Sequence, residues 1–352
     1  MSAPRLARRR PVVDLPPPAP VTIIEHQVYR GWCAYCRAWR AAPLDLGGQV
    51  LGRGRLGVGI ASLVAHLRLG LRLPVRAIQS YLADLHGLRV SVGELVDLLR
   101  RVARAGQAAY ARLREQVRTS PAVNGDETGW REAGRNGYVW ATCTPAGTRY
   151  FEYHHSRAGA VINALLGEDF TGVLTTDFYA AYNDTPGGRH QRCWAHLLRD
   201  LHALTIEHAN RFEVVVWANA VKALYALAAQ VTGPPAERQT AYTQLVAETV
   251  RLGQQFADQR DHPCCALAKR LLRHQGELFT FVVVDGVEAT NNAAKRAIRP
   301  LVVSRKISGG SRSAQGTQTR MTLTSLFQTW QAHRLPPLLE FRRLLQSPLP
   351  QI

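Results

Sequence analysis

The sequence predicts an α/β protein in which a mixed sheet is interrupted by a helical insertion and preceded by a helical region. Residues 121–156 hold three runs, "PAVNGDETGW", "RNGYVWATCT" and "RYFEYHHS", separated by glycine-containing turns. That is the pattern of consecutive antiparallel strands. A helical stretch, "AGAVINALLG" (158–167), then leads to a further strand pattern with a polar exit, "TGVLTTDFYAAYN" (171–183). From 188 to about 280 apolar residues recur at helical spacing, from "HQRCWAHLLRDLHALTIEHANRF" to "CCALAKRLLRHQGELFTFV", which reads as an inserted helical block.

The elements before the sheet follow in order. Residues 1–20 are basic and then proline-rich, with little to bury, and read as a disordered arm. "TIIEHQVYR" (22–30) alternates like a strand and runs into "GWCAYCRAW", where Cys33 and Cys36 have zinc-knuckle spacing. A structural zinc site needs four ligands, and the next cysteine is Cys143. Residues 21–50 are therefore expected to be a remnant of a zinc region, with no zinc held at Cys33 and Cys36. "GVGIASLVAHLRLGLR" has helical spacing, and "LPVRAIQSYLADLHG" opens on Pro74, which a first helical turn tolerates, and ends at Gly87. Ser91 and Glu94 have capping-box spacing and start a helix expected to continue to about Arg118. Two short helices joined by a turn, in the arginine-rich stretch 51–118, point to a helix-turn-helix DNA-binding region. An ordinary helical hairpin is the plainer alternative.

Charge narrows the function. The 352 residues carry a net charge of +18, and residues 1–120 supply +12 of it through 19 arginines against seven acids. Basicity concentrated in one third of a chain suggests a nucleic-acid surface, although arginine outnumbers lysine forty to four and a compositional bias is the alternative. No apolar run approaches the ~18–20 residues of a membrane span. The first residues lack the apolar core of a secretory signal. Six cysteines, two of them adjacent, make no disulfide framework for a chain of this length. A soluble protein without membrane contact is expected.

The chemistry rests on two acids. In the inferred order the strand at 171–183 lies beside the one at 121–130, so Asp126 and Asp177 can converge while Glu127 points to the opposite face. Three antiparallel strands, a helix and another strand are the opening of an RNase H-like fold. Converging carboxylates offer the hard oxygen ligands that Mg²⁺ requires, and two such ions promote phosphodiester chemistry.

"VNGDETGW", "TDFYAAYN", "QRCWAHLLRDL" and "TNNAAKRAIRPLVVSRKISGGSRS" resemble, in order, the motif series of the insertion-sequence-66 family of bacterial transposases. The likeness runs from about residue 22 to 335. It implies an Asp-Asp-Glu enzyme with an RNase H-like core that uses Mg²⁺ or Mn²⁺ to cut at the ends of an insertion sequence. The freed 3′-hydroxyl would then be joined to target DNA. By the same resemblance Asp126 and Asp177 match the first two metal-binding acids, and Cys193 and His196 match a Cys-x-x-His signature near the site. The implied partners are double-stranded DNA (terminal inverted repeats and target), further copies of the chain on DNA, and accessory proteins of the element. The implied location is the cytoplasm, at the nucleoid.

This chain departs from the family pattern in three ways. The earlier cysteine pair of the zinc region is missing, and so is the long N-terminal coiled coil of larger members. The family motif Asn-Asn-x-x-Glu-Arg reads "NNAAKR" here, so Lys295 stands where the third acid belongs. Glu288, seven residues earlier, is the expected replacement as catalytic and metal-binding acid. The alternative is a decayed transposase that only binds DNA. Arg89, Arg100 and Arg101, with Arg296, Arg299, Arg305, Lys306 and Arg312 beside the third-acid motif, are the expected phosphate contacts; a solvated basic face is the alternative for the second group. The expected division is 1–20 arm, 21–50 zinc remnant, 51–118 DNA-binding region, 119–187 and 284–335 the two parts of the core, 188–283 insertion, and 336–352 C-terminal helix and tail.

Overall fold

A computed structural model describes residues 10–52, 54–185 and 188–346. Of the arm expected at 1–20, residues 1–9 lie outside them. Residues 10–29 form no helix or strand, which corrects the strand expected at 22–30. Ile23 and Ile24 are both exposed, and an extended segment without a partner strand has nothing to stabilise it. The strands there are β1 (Arg30–Cys33) and β2 (Ala38–Ala41), a hairpin of two.

Four helices follow: α1 (Val58–Leu69), α2 (Val75–His86), α3 (Val92–Ala105) and α4 (Gln107–Arg118). Gly87 ends α2 in the left-handed conformation at φ 64°, where glycine has no steric penalty. The hydroxyl of Ser91 accepts from the Glu94 amide at 3.0 Å and caps α3. The single helix expected from 91 to 118 is broken at Gly106. A Cβ there would meet Leu326 Cδ1 at 2.6 Å, so another helix passes close to this backbone.

The main sheet contains β3 (Ala122–Glu132), β4 (Arg135–Cys143), β5 (Arg149–His154), β6 (Val173–Thr176) and β7 (His190–Arg192), with α5 (Gly159–Leu166) between β5 and β6. Its order is β5-β4-β3-β6-β7, with β3 antiparallel to β4 and parallel to β6. Two differences from expectation matter. The strand expected over 171–183 stops at Thr176, so Asp177 is the first residue beyond it. The block expected to be helical from 188 opens with β7, a strand of three residues too short for its period to show.

The insertion comprises α6 (Trp194–Glu207), α7 (Phe212–Ala228), α8 (Pro235–Gln254), α9 (Cys265–His274) and α10 (Thr280–Val283). It has its own apolar core, with Trp194, Trp217, Val221 and Leu271 buried together. It also returns to the strand where it begins. Thr280 Oγ1 donates to His190 O at 2.6 Å and Gln191 Nε2 to Leu278 O at 3.0 Å.

The chain closes with α11 (Asn292–Ser308), α12 (Ala314–Ala332) and α13 (Pro337–Gln346). Helix α11 packs against β3 and β4, while α12 packs against β5 and α3. Leu323 and Phe327 of α12 and Phe341 and Leu345 of α13 complete the apolar core of α1–α3. The connection from α11 to α12 is pinned to the end of β3, since the Ser311 amide donates to Arg131 O at 2.8 Å. Gly310 makes that approach possible: its φ is 115°, and a Cβ would lie 2.2 Å from Arg131 O. Gly310→Ala is therefore expected to cost on the order of 2–4 kcal/mol through combined backbone strain and overlap. The check is the denaturation midpoint, and an unchanged midpoint would refute the pinned connection.

Candidate active site

Asp126 and Asp177 are brought together by register. The parallel pairing of β3 with β6 runs Ala122↔Val173, Val123↔Leu174, Asn124↔Thr175, and continuing it by two residues brings Asp177, just past the end of β6, into electrostatic contact with Asp126. Asp126 is half-buried in the middle of β3, and Asp177 sits just past β6 in a turn in which its Oδ1 accepts from the Tyr179 amide at 2.9 Å. Burial first, then the nearby carboxylates of Glu127 and Asp177, push the Asp126 carboxyl up to about 7, against the opposing pull of Lys295. Two like charges held together in a partly dry place produce that direction.

Alternation along β3 sorts the neighbours by face. Glu127 turns away from α11, accepting from Arg157 Nη2 at 2.6 Å and from the Tyr182 hydroxyl. Its charge is therefore balanced on the far side of the sheet. On the near side α11 is fastened beside Asp126: Asn291 Nδ2 donates to Gly125 O at 2.7 Å, and the Asn291 amide donates to Cys193 Sγ at 3.0 Å. Asn291 is the N-cap of α11, but its side chain holds the sheet rather than capping the helix. Cys193 is buried and joins the start of α6 to the start of α11.

Lys295 lies one turn into α11, its amide donating to Asn291 O. Its Nζ is 2.5 Å from His196 Nε2. An ammonium has only donors, so Nε2 accepts and the imidazole proton rests on Nδ1, which is buried with no partner. Burial first, and then the Lys295 charge, lower the His196 pKa, which favours the neutral ring this bond requires. Cys193, His196 and Lys295, marked in the sequence by the family resemblance, thus meet beside the two aspartates.

Glu288 does not join them. It is exposed, in a connection anchored at both ends. Before it, Asp285 is paired with Arg238 at 2.6 Å and Gly286 turns the chain at φ 78°; after it, Asn291 is tied to β3. Among the described residues no group of three or more His, Cys, Asp or Glu side chains could hold a metal ion. Paired divalent ions need converging hard oxygen donors. Two carboxylates with an ammonium beside them do not fit that arrangement.

Sequence reasoning missed Arg192 of β7. Its side chain is 1% exposed, with Nε donating to Glu277 Oε2 at 2.6 Å, one terminal nitrogen to Asp177 O at 3.1 Å, and the other to Asn183 Oδ1 at 3.0 Å. It holds the backbone that presents Asp177. A charged residue inside a segment with helical spacing carried no signal of this role.

The expected DNA contacts divide in two. Arg296, Arg299, Lys306 and Arg312 are exposed, and the first three fall on one side of α11 by helical spacing; Arg89 is exposed before α3, and Arg100 is half-buried within it. Two others are engaged inside the protein. Arg101 pairs with Asp97 at 2.7 Å and donates to Leu51 O at 2.9 Å. Arg305 donates to Thr128 Oγ1 at 3.2 Å and to Gly129 O, fastening α11 to β3.

Residues 53–319 match the sequence profile of the family described as "Transposase IS66 family". An uncharacterized protein, y4qI, of Sinorhizobium fredii (strain NBRC 101917 / NGR234) is 28% identical over 190 residues, covering 48% of this chain and 34% of that protein. The chain thus matches about a third of that relative's length. Among the described residues no helix is long and apolar enough to cross a membrane.

Proposed function

The chain belongs to the IS66 family of transposases, and from that premise we propose that it binds the DNA ends of an insertion sequence while its centre for divalent cations is incomplete. The observation that carries this is Lys295, whose ammonium is bonded to His196 beside Asp126 and Asp177. The sheet order β5-β4-β3-β6-β7 supports an RNase H-like core with the two aspartates at its centre. Helices α2 and α3 act as the helix-turn-helix, and the exposed cations of α11 contact phosphates. The unaltered chain then holds DNA but neither cuts nor joins it.

A second reading, metal-dependent cutting and joining of the element's ends, is favoured by the preserved register of Asp126 and Asp177. Element-end DNA with Mg²⁺ or Mn²⁺ separates the two. A shifted band without cleaved or joined product is expected. Joined product from the unaltered chain sinks the first reading, and cleavage without joining indicates a nuclease.

The binding itself has a testable signature. Because α12 and α13 complete the core of α1–α3, the test uses the whole chain rather than an N-terminal fragment. Affinity is expected to fall on the order of 10³-fold or more between ~50 and ~200 mM salt as phosphate contacts release counterions. Arg296→Ala and Arg299→Ala should each make the salt dependence shallower by about one ion; slopes that do not move would remove α11 from the interface.

For Cys33 and Cys36, two thiolates leave two of four zinc positions open. Metal analysis after mild chelation is expected to find well under one zinc per chain. Stoichiometric retained zinc would mean that His26 or a second subunit completes the site.

A further inference from the structure

Apart from the two aspartates, a cavity of about 200 Å³ lies where the end of α1 meets α11 and α12. Its lining includes Arg72, Arg320 and Thr324 and contains no carboxylate. Arg320 is buried on α12. One terminal nitrogen donates to Ser304 Oγ, but its Nε and other terminal nitrogen have no partner, and neither has Thr324 Oγ1. Arg320 and Thr324 are four residues apart and so share one face of the helix. Arg72 reaches the cavity from the turn after α1, held in left-handed backbone at φ 60°. Among the described residues it makes no hydrogen bond or ion pair.

A buried guanidinium without a counter-ion is strongly unfavourable. Burial first, and then the like charge of Arg68, draw the Arg320 pKa down to about 9, which still leaves it charged at neutral pH. Among the described residues no anionic group pairs with that charge. The unused donors are charged N–H groups of the kind that bind phosphate oxygens. Sites for drug-sized ligands occupy ~300–1,000 Å³; this cavity is too small for a nucleotide but takes one tetrahedral oxyanion with a few waters.

We propose that this cavity binds a single oxyanion of the phosphate class, held by Arg320 and Arg72 with the Thr324 hydroxyl as a third donor. The anion is either free phosphate or the terminal phosphate of a nucleic-acid strand. Bound there, it ties the helices of the N-terminal region to α11, the helix that carries Lys295. The assignment does not depend on whether the aspartates support catalysis.

The test is calorimetric titration of the full chain with sodium phosphate at constant ionic strength, with chloride as the reference, together with thermal melting. One saturable site and a raised melting temperature are expected. Arg320→Met should abolish both, and in phosphate-free buffer should melt above the unaltered chain because the unpaired charge is gone. Arg72→Ala, a change at a half-buried position, should weaken phosphate binding ~10-fold or more and carries the test if Arg320→Met does not fold. Displacement of phosphate by a 5′-phosphorylated dinucleotide, but not by its unphosphorylated form, identifies a strand end as the source. No displacement by either identifies free phosphate, and both results support the site. Absence of saturable binding, or phosphate affinity unchanged in Arg320→Met or Arg72→Ala, overturns it.

Discussion

On the proposed reading, Lys295→Glu is expected to yield a chain that joins a 3′-hydroxyl to target DNA when Mg²⁺ or Mn²⁺ is supplied, where the unaltered chain does not. The change removes an ammonium from beside two carboxylates and adds a third carboxylate on the same turn of α11. That turn is fixed by the bonds of Asn291 to Gly125 and Cys193, so the new side chain starts from a defined place. Its expected effect is a gain of at least two to three orders of magnitude over background, the scale on which one well-placed electrostatic group acts. A readout without catalysis accompanies it. Three clustered acids repel one another, so the variant should melt lower than the unaltered chain in chelator and recover on addition of Mg²⁺, since a ligand that binds only the folded state stabilises it. The unaltered chain should show no comparable recovery. Asp126→Ala or Asp177→Ala in the Lys295→Glu background should return the activity to nothing with DNA binding nearly intact. Glu288→Ala should change neither; if it abolishes activity already present in the unaltered chain, Glu288 is the third acid and the proposed reading fails.

The sheet was legible because its signals are local. Period-two runs and glycine turns mark β3, β4 and β5 to within a few residues, and the placing of Asp126 opposite Asp177 follows once β6 lies beside β3. Short or partnerless segments were not legible. β7 is only three residues long, and the alternation at 22–30 found no strand to pair with. The site was half-readable for a related reason. Cys193, His196 and Lys295 could be marked by their resemblance to family motifs, but their meeting depends on α6 and α11 arriving at the same strand from positions 98 residues apart in the Asn291–Cys193 bond. The place of Glu288 was not legible, because a sequence distance from Lys295 says nothing of the anchors on both sides, Arg238 and Gly125. Arg101 and Arg305 read as phosphate contacts in the sequence, yet each donates to a backbone carbonyl far away in sequence.

Arg192→Met is expected to destabilise the protein by about 3–5 kcal/mol, the usual result of removing one partner from a buried ion pair. The guanidinium is almost wholly enclosed and bridges Glu277, Asn183 and the Asp177 carbonyl. Without it Glu277 keeps only His274, at 2.8 Å, and the turn bearing Asp177 loses a tether. Arg192→Lys should recover only part of the loss, because a single ammonium cannot span three acceptors in the geometry of a planar fork. The pair also sets an acid limit. Burial alone would raise the Glu277 carboxyl, but hydrogen bonds from His274 and Arg192 outweigh it and hold it at about 2. A carboxyl lowered in the folded state contributes stability above its unfolded value near 4.5 and loses it as pH falls towards 2. The unaltered chain should therefore lose on the order of 2–3 kcal/mol across that window, a figure reduced for the partial exposure of Glu277. Glu277→Gln should flatten this part of the profile. Denaturation midpoints between pH 5 and 2 measure both effects. In the Lys295→Glu background, Arg192→Met should also depress strand transfer at temperatures where the chain remains folded. Undiminished joining there would leave Arg192 a purely structural residue with no hand in placing Asp177.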